Sequence, residues 1–504
     1  MKRACGVLLP ISALPSKYGI GCFSKEAYEF VDFLKAAGQS YWQVLPFGQT
    51  GYGDSPYQSF STFAGNPYFI DLEELFEKGY LRKNDLEKAK LSSDPEQIDY
   101  ALEYENRYPL LWKAYQNSPF SLAHSGDASA AKELSEFMEF QKAEEDWLAD
   151  YALYCAVKKH FRNVSYIEWE EDIRLRKRSA MEKYRRELAD EIRFYEFLQF
   201  EFMNQWLKLK AYANQNGIDI IGDIPIYVAF DSADTWSHPE LYEFDQKGYP
   251  TVVAGCPPDA FSATGQLWGN PIYKWDYHQK TGYEWWIKRV RHCFRLADVL
   301  RIDHFRGFDE YYAIPYGDET AEFGTWRPGP GIELFEILKK ELGKQRIIAE
   351  DLGFLTPSVL KLVKKTGYPG MKVLQFAFDS REDSDYLPHN YGTNCVVYTG
   401  THDNQTTRGW YESAPRADRS FAKRYVGIPS KKTAVWEFIR VAFMSVADTV
   451  IIPMQDYLNL GDEARMNQPS TLGGNWMWRM KKDAITPELT AKMRSFAKMY
   501  GRLS

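Results

Sequence analysis

The chain has 504 residues, enough for two or three average domains or one large elaborated one. Aromatic residues make up 16%, with 15 Trp and 34 Tyr, far more than a disordered chain carries. A net charge of −7 and the lack of a long basic run argue against nucleic acid as a partner, and no stretch approaches the ~20 apolar residues of a membrane-spanning helix.

Six cysteines lie at 5, 22, 155, 256, 293 and 395 without any CxxC pair, a pattern of neither a zinc site nor a disulfide framework. They read as reduced thiols of a cytoplasmic protein. "MKRACGVLLPISALPS" resembles a signal peptide at first sight, but Pro10 breaks the apolar run, so residues 4–10 read as a first β-strand. Seven more short apolar runs follow, each ending in Gly, Pro or a polar residue. They are "YWQVLPF" (41–47), "IDIIGDIPIYV" (218–228), "ADVLRIDHF" (297–305), "RIIAEDLG" (346–353), "MKVLQFAF" (371–378), "CVVYTGTHDN" (395–404) and "TVIIPMQDYL" (449–458). Most are preceded by a helical pattern, such as "SKEAYEFVDFLKAAG" before the second or "GIELFEILKKELG" before the fifth. Strand–helix alternation with strands apolar on both faces predicts an α/β fold, a (β/α)8 TIM barrel over residues 1–504, with no C-terminal β-domain.

Two gaps are too long for simple loops. About 170 residues separate the second and third strands, and residues 75–200 read as a mainly helical inserted subdomain. Residues 229–296, after the third strand, are rich in Gly, Pro and aromatics and read as a loop-rich insertion over the barrel mouth. The basic stretch "RLRKRSAMEKYRRELADEIR" alternates charge signs and reads as a solvated helix face.

Three carboxylates fall on strand ends, where barrel enzymes keep their chemistry. Asp303 ends the fourth strand in "RIDHFRG", Glu350 the fifth in "IIAEDLG", and Asp403 the seventh in "YTGTHDN". Any one of these acids could cap a helix or pair with an Arg. Capping alone does not account for all three with their His and Arg neighbours. Carboxylates on adjacent strands, ~4.8 Å apart, suit the ~5 Å separation of retaining glycoside chemistry.

"RIDHFRG", "AEDLG" and "GTHDN", in this order, resemble the signatures of the 4-α-glucanotransferases, the amylomaltase or disproportionating-enzyme family related to the α-amylase clan. "GYGDSPYQSFSTFAGNPYFIDL" (51–72), "GDIPIYVAFDSADTW" (222–236), "PPDAFSATGQLWGNPIY" (257–273) and "ARMNQPST" (464–471) agree with it. The resemblance implies transfer of α-1,4-glucan segments to a glucan or glucose acceptor, with no cofactor, no metal and no membrane partner; it leaves the oligomeric state open. It implies Asp303 as nucleophile, Glu350 as general acid/base and Asp403 as transition-state stabiliser. Tyr57, Asp223, Arg301, His304 and His402 would surround the reacting glucose, with Gln266 and Trp268 in a loop over the cleft and Asn467 on the acceptor side. Tyr52, Ser55 and Phe376 complete the implied substrate contacts. The chain departs from the family pattern at Cys22 and Cys256, neither of which touches the carboxylates. An α-glucan hydrolase using the same carboxylates and a non-catalytic glucan-binding protein are the rival readings. The second would be marked by a lost carboxylate, and all three are present.

Overall fold

The computed structural model describes residues 3–51, 53–124, 130–258, 262–353, 355–471 and 473–503. Within them the strands are β1 (Ala4–Leu8), β2 (Tyr41–Gln43), β3 (Asp219–Ile224), β4 (Val252–Cys256), β5 (Gln266–Pro271), β6 (Val299–Ile302), β7 (Glu310–Pro315), β8 (Thr325–Pro328), β9 (Ile347–Ala349), β10 (Gly370–Val373), β11 (Cys395–Tyr398) and β12 (Thr449–Pro453). Eight of them form one parallel sheet in the order β10-β11-β12-β1-β2-β3-β6-β9, the expected barrel in its expected chain order. β1, β6, β11 and β12 are buried at every position, as a sheet covered on both faces requires.

The sheet is nearly closed. At its outer strands, Ala349 N–H at the end of β9 donates to Pro369 O, just before β10, at 2.9 Å. The Asp351 carboxylate supplements it by accepting from Met371 N–H at 2.7 Å. Glycine stands at 370 because a Cβ there would lie 2.3 Å from Asp351 Oδ2.

The covering helices form where apolar residues recur every three or four positions. Lys25–Ala36 buries Ala27, Phe30, Val31 and Leu34. Pro357–Thr366 starts with the Thr356 hydroxyl accepting from Val359 N–H and stops at Gly367 in the left-handed region. Helix Ala189–Gln215 begins among the inserted helices and ends as the crossover helix into β3, so the expected boundary at residue 200 falls inside it. Its Trp206 is fully buried, packs on Phe47 with ring centres 4.5 Å apart, and donates from Nε1 to Leu296 O at 3.0 Å.

Two features differ from the sequence reading. The strands are shorter. β3 stops before Pro225, which has no N–H for a ladder; β10 turns at Leu374 into a short 3₁₀ helix; and β12 passes directly into helix Met454–Tyr457. The stretch 229–296 also holds strands as well as loops. β4 pairs antiparallel with both β5 and β7, and β7 with β8, in a second sheet of order β5-β4-β7-β8. A segment near the C-terminus crosses this architecture. Ile98 N–H donates to Met477 O at 2.7 Å, Arg479 N–H to Glu96 O at 2.8 Å and Met480 N–H to Ala13 O at 2.9 Å.

Because Trp206 joins the inserted helices to the barrel wall, Trp206→Ala is expected to destabilise the protein by about 3–5 kcal/mol, read as a lower urea midpoint.

Candidate active site

In a parallel ladder, paired residues point to the same face. β3 and β6 pair Asp223 with Arg301, and both side chains are buried inside the barrel. Arg301 Nη1 donates to both oxygens of Asp223, at 2.8 and 2.7 Å. Asp303 follows Arg301 by two positions and so returns to the same face. Its Oδ1 accepts from Arg301 Nη2 at 2.9 Å. Arg301 Nε reaches Met371 Sδ of β10 at 3.4 Å, so one guanidinium ties β3, β6 and β10.

His304, next in the chain, sits in the left-handed region at φ 50°, ψ 50°, a strained conformation for a residue with a Cβ. The turn points its N–H at Glu350 Oε2, 2.7 Å away, while Glu350 Oε1 accepts from Leu352 N–H at 2.9 Å. Glu350 N–H donates to Ile302 O at 3.1 Å, which sets it just beyond the β6–β9 ladder, level with Asp303. Burial, reinforced by the charge of Asp303, pushes Glu350 up to about 8, against the pull of Arg301 and the two N–H groups. Burial lowers His304 to about 4, so its imidazole is neutral near pH 7. Trp268 meets the His304 ring edge-on at 4.8 Å and donates from Nε1 to Gln266 Oε1 at 3.1 Å.

Asp403 has the opposite setting. Its Oδ1 accepts from Asn467 Nδ2 at 2.6 Å and its Oδ2 lies 3.3 Å from His402 Nε2. Burial works against its charge, but His402, Asn467 and Arg301 outweigh it and hold the carboxyl down at about 2. The Asp403 side chain is 41% exposed, so water screens part of that pull. For His402, burial disfavours the imidazolium but the Asp403 charge more than offsets it, and its pKa is raised. Tyr57 stacks on the His402 ring at 5.2 Å and donates from its hydroxyl to Asp223 Oδ2 at 3.0 Å.

The structure thus gathers Asp223, Arg301, Asp303, His304, Glu350, Tyr57, His402, Asp403 and Asn467 around the C-terminal ends of the barrel strands, with Gln266 and Trp268 joined through His304. Ser55 acts one step back, its hydroxyl accepting from Tyr57 N–H at 3.3 Å. Phe376 stands 41% exposed on the turn after β10, edge-on to Tyr386 at 5.5 Å. Tyr52 lies outside the described residues. Three residues escaped the sequence reading. Trp476 packs on both Tyr57 and His402, at 5.9 and 5.8 Å. Arg465 donates to Asp403 O and Asn467 O, and Tyr386 feels the charge of Glu350. Arg465 lies within "ARMNQPST", a usable signal; Trp476 and Tyr386 have none. Among the described residues no group of three or more His, Cys, Asp or Glu side chains is disposed to hold a metal ion, and no helix is long and apolar enough to cross a membrane.

A family model described as 4-alpha-glucanotransferase matches residues 9–486. A 4-alpha-glucanotransferase of Clostridium butyricum is 50% identical over 494 residues, covering 98% of this chain and 99% of the relative. One of Thermus thermophilus is 45% identical over the whole of both chains. Among solved structures, the amylomaltase of Streptococcus agalactiae in complex with acarbose superposes with a TM-score of 0.95 at 42% identity, covering both chains completely.

The buried Arg301 yields a stability prediction that needs no substrate. Arg301→Met leaves Asp223 sealed without its cation and is expected to cost about 3–5 kcal/mol in unfolding free energy. Adding Asp223→Asn should recover most of that loss in the same denaturant titration.

Proposed function

Because the chain belongs to the 4-alpha-glucanotransferase family, we propose that Asp303, Glu350 and Asp403 divide its chemistry as nucleophile, general acid/base and transition-state stabiliser. The activity itself is 4-α-glucan transfer, a retaining double displacement that moves α-1,4-glucan segments from a donor to an acceptor. The observation that carries the division of roles is the bond from His304 N–H to Glu350 Oε2. It locks the acid against the residue that follows the nucleophile.

Glu350 enters the cycle protonated and gives its proton to the glycosidic oxygen while Asp303 attacks the anomeric carbon. The C–O bond breaks and the reducing-end fragment leaves. Glu350, now a carboxylate, takes the proton of the acceptor 4-hydroxyl, whose oxygen displaces Asp303 with net retention. Arg301 donates to Asp303 and holds it aimed. Asp403, anionic beside His402, favours the positive charge that develops on the sugar ring.

In this reading Tyr57, Asp223, Arg301, His304 and His402 surround the reacting glucose, and Gln266 and Trp268 close over it. Asn467 stands on the acceptor side, and Ser55, Tyr52 and Phe376 contribute to the sugar contacts. Residues 75–200 act as a helical subdomain. Residues 229–296, which contribute β4 and β5, shield the covalent intermediate from water, so that a sugar hydroxyl intercepts it first. Donors are maltooligosaccharides, and acceptors are glucose or glucan. The six free thiols, five of them buried, suit the cytoplasm.

Incubated with maltotriose, the protein should give glucose together with a ladder of longer maltooligosaccharides. Glucose and maltose alone would mean hydrolysis. Asp303→Asn should lower the transfer rate by roughly 10³-fold or more while glucan still binds. Since Glu350 must be protonated to act, kcat/KM is at its full value below its pKa and is expected to fall as pH rises through about 8, measured on maltotriose.

A further inference from the structure

A cavity of about 290 Å³ opens on the outer flank of the barrel mouth, lined from helix Leu148–His160 and the turn before it, from helix Ala233–Ser237 and from the start of helix Glu284–Leu296. Its volume is at the lower end of the ~300–1,000 Å³ of ligand sites, room for a short run of sugar rings. None of the residues assigned to the active site lines it.

Its wall combines flat rings with hydrogen-bonding groups of both charges. Trp147, Trp285 and Tyr277 supply the rings, and Tyr277 is only partly buried. Trp285 Nε1 is a buried donor without a partner among the described residues. At the rim Lys288 lies 3.1 Å from Asp146 and 3.0 Å from Glu284, and His238 Nδ1 lies 3.1 Å from Glu240, so the rim holds donors and acceptors of the kind a polyhydroxyl ligand uses. The acids repel an anion, and the polar rim wastes contacts on an apolar ligand. Sugar rings use both kinds of group, the carbon faces on aromatics and the hydroxyls on acids and bases.

The cavity also adjoins the chemistry. Ser61 and Phe63 line it and also line a smaller cavity bordered by Tyr57 and Asp223. The same loop is pinned by Asp234, which accepts from Thr62 N–H at 2.8 Å and from its hydroxyl at 2.9 Å. One short loop therefore separates the outer cavity from the floor of the active site.

We propose that this cavity is an auxiliary α-1,4-glucan site, resting on the transferase reading above, that holds a remote part of a long donor or acceptor while the reacting end lies between Asp303 and Glu350. Short donors do not reach both places and gain nothing from it.

Tyr277→Ala is expected to raise the apparent KM for amylose about three- to tenfold, the loss of one aromatic contact, while kcat and KM for maltotriose stay within about twofold. Tyr277→Phe keeps the ring and should match the parent; Lys288→Ala, at the solvent rim, should show the same amylose-specific loss without touching the core. Calorimetric titration of maltotriose, too short to bridge the two places, into the Asp303→Asn protein should count two sites, and one after adding Tyr277→Ala. An unchanged amylose KM, an equal loss on both donors, or a single site before Tyr277→Ala overturns the proposal. If the parent transfers no glucan at all, the transferase reading falls on its own, and the calorimetric site count still decides the cavity.

Discussion

A guanidinium sealed inside the top of a barrel has to find its counter-charge there, and Arg301 finds two. Leaving it unpaired would cost several kcal/mol, so the β3–β6 register that sets Asp223 opposite it is strongly held. The same register delivers Asp303 to the free side of the guanidinium and, through the β6–β9 ladder, sets Glu350 one strand away. Tyr57 reaches the arrangement by its bond to Asp223, and Met371 by its sulfur. The geometry of the site is thus a by-product of satisfying one buried charge.

The carboxylates around it are chemically identical and yet behave differently, because their partners differ. Asp303 shares a cation. Glu350 sits close to a negative neighbour with only backbone N–H groups in direct contact and keeps its proton to about pH 8. Asp403 is flanked by an amide and an imidazole and stays ionised. Acid, nucleophile and anionic stabiliser can therefore coexist at one pH in one site. The strain at His304 belongs to the same economy, since only the left-handed turn aims its N–H at Glu350.

Much of this was legible in the sequence, and for physical reasons. The barrel strands are buried on both faces, so they appear as unbroken apolar runs, and charges at their ends stand out against them. What could not be read depends on contacts between distant segments. The strands of the second sheet are short and interrupted by Gly255 and Gly269, and their partners lie on both sides of β6 in the chain. Strand ends were overestimated because apolar residues such as Ile226 and Phe378 continue past the ladder into core packing. Asn467 was reached only through a motif resemblance. Trp476, one of 15 tryptophans, has no periodicity or spacing that marks it as the ring behind Tyr57 and His402.

The segment that holds Asn467 and Trp476 continues to Met477, Arg479 and Met480, which are hydrogen-bonded to Ile98 and Glu96 of the inserted region and to Ala13 after β1. Asp403 therefore owes its hydrogen-bond donor to a strap whose far end is stitched to the insertion. Trimming the insertion back to a bare barrel would remove the strap's bonds to Glu96 and Ile98 and leave Asn467 held by its own N–H to His402 O at 3.0 Å and by Arg465 on its carbonyl.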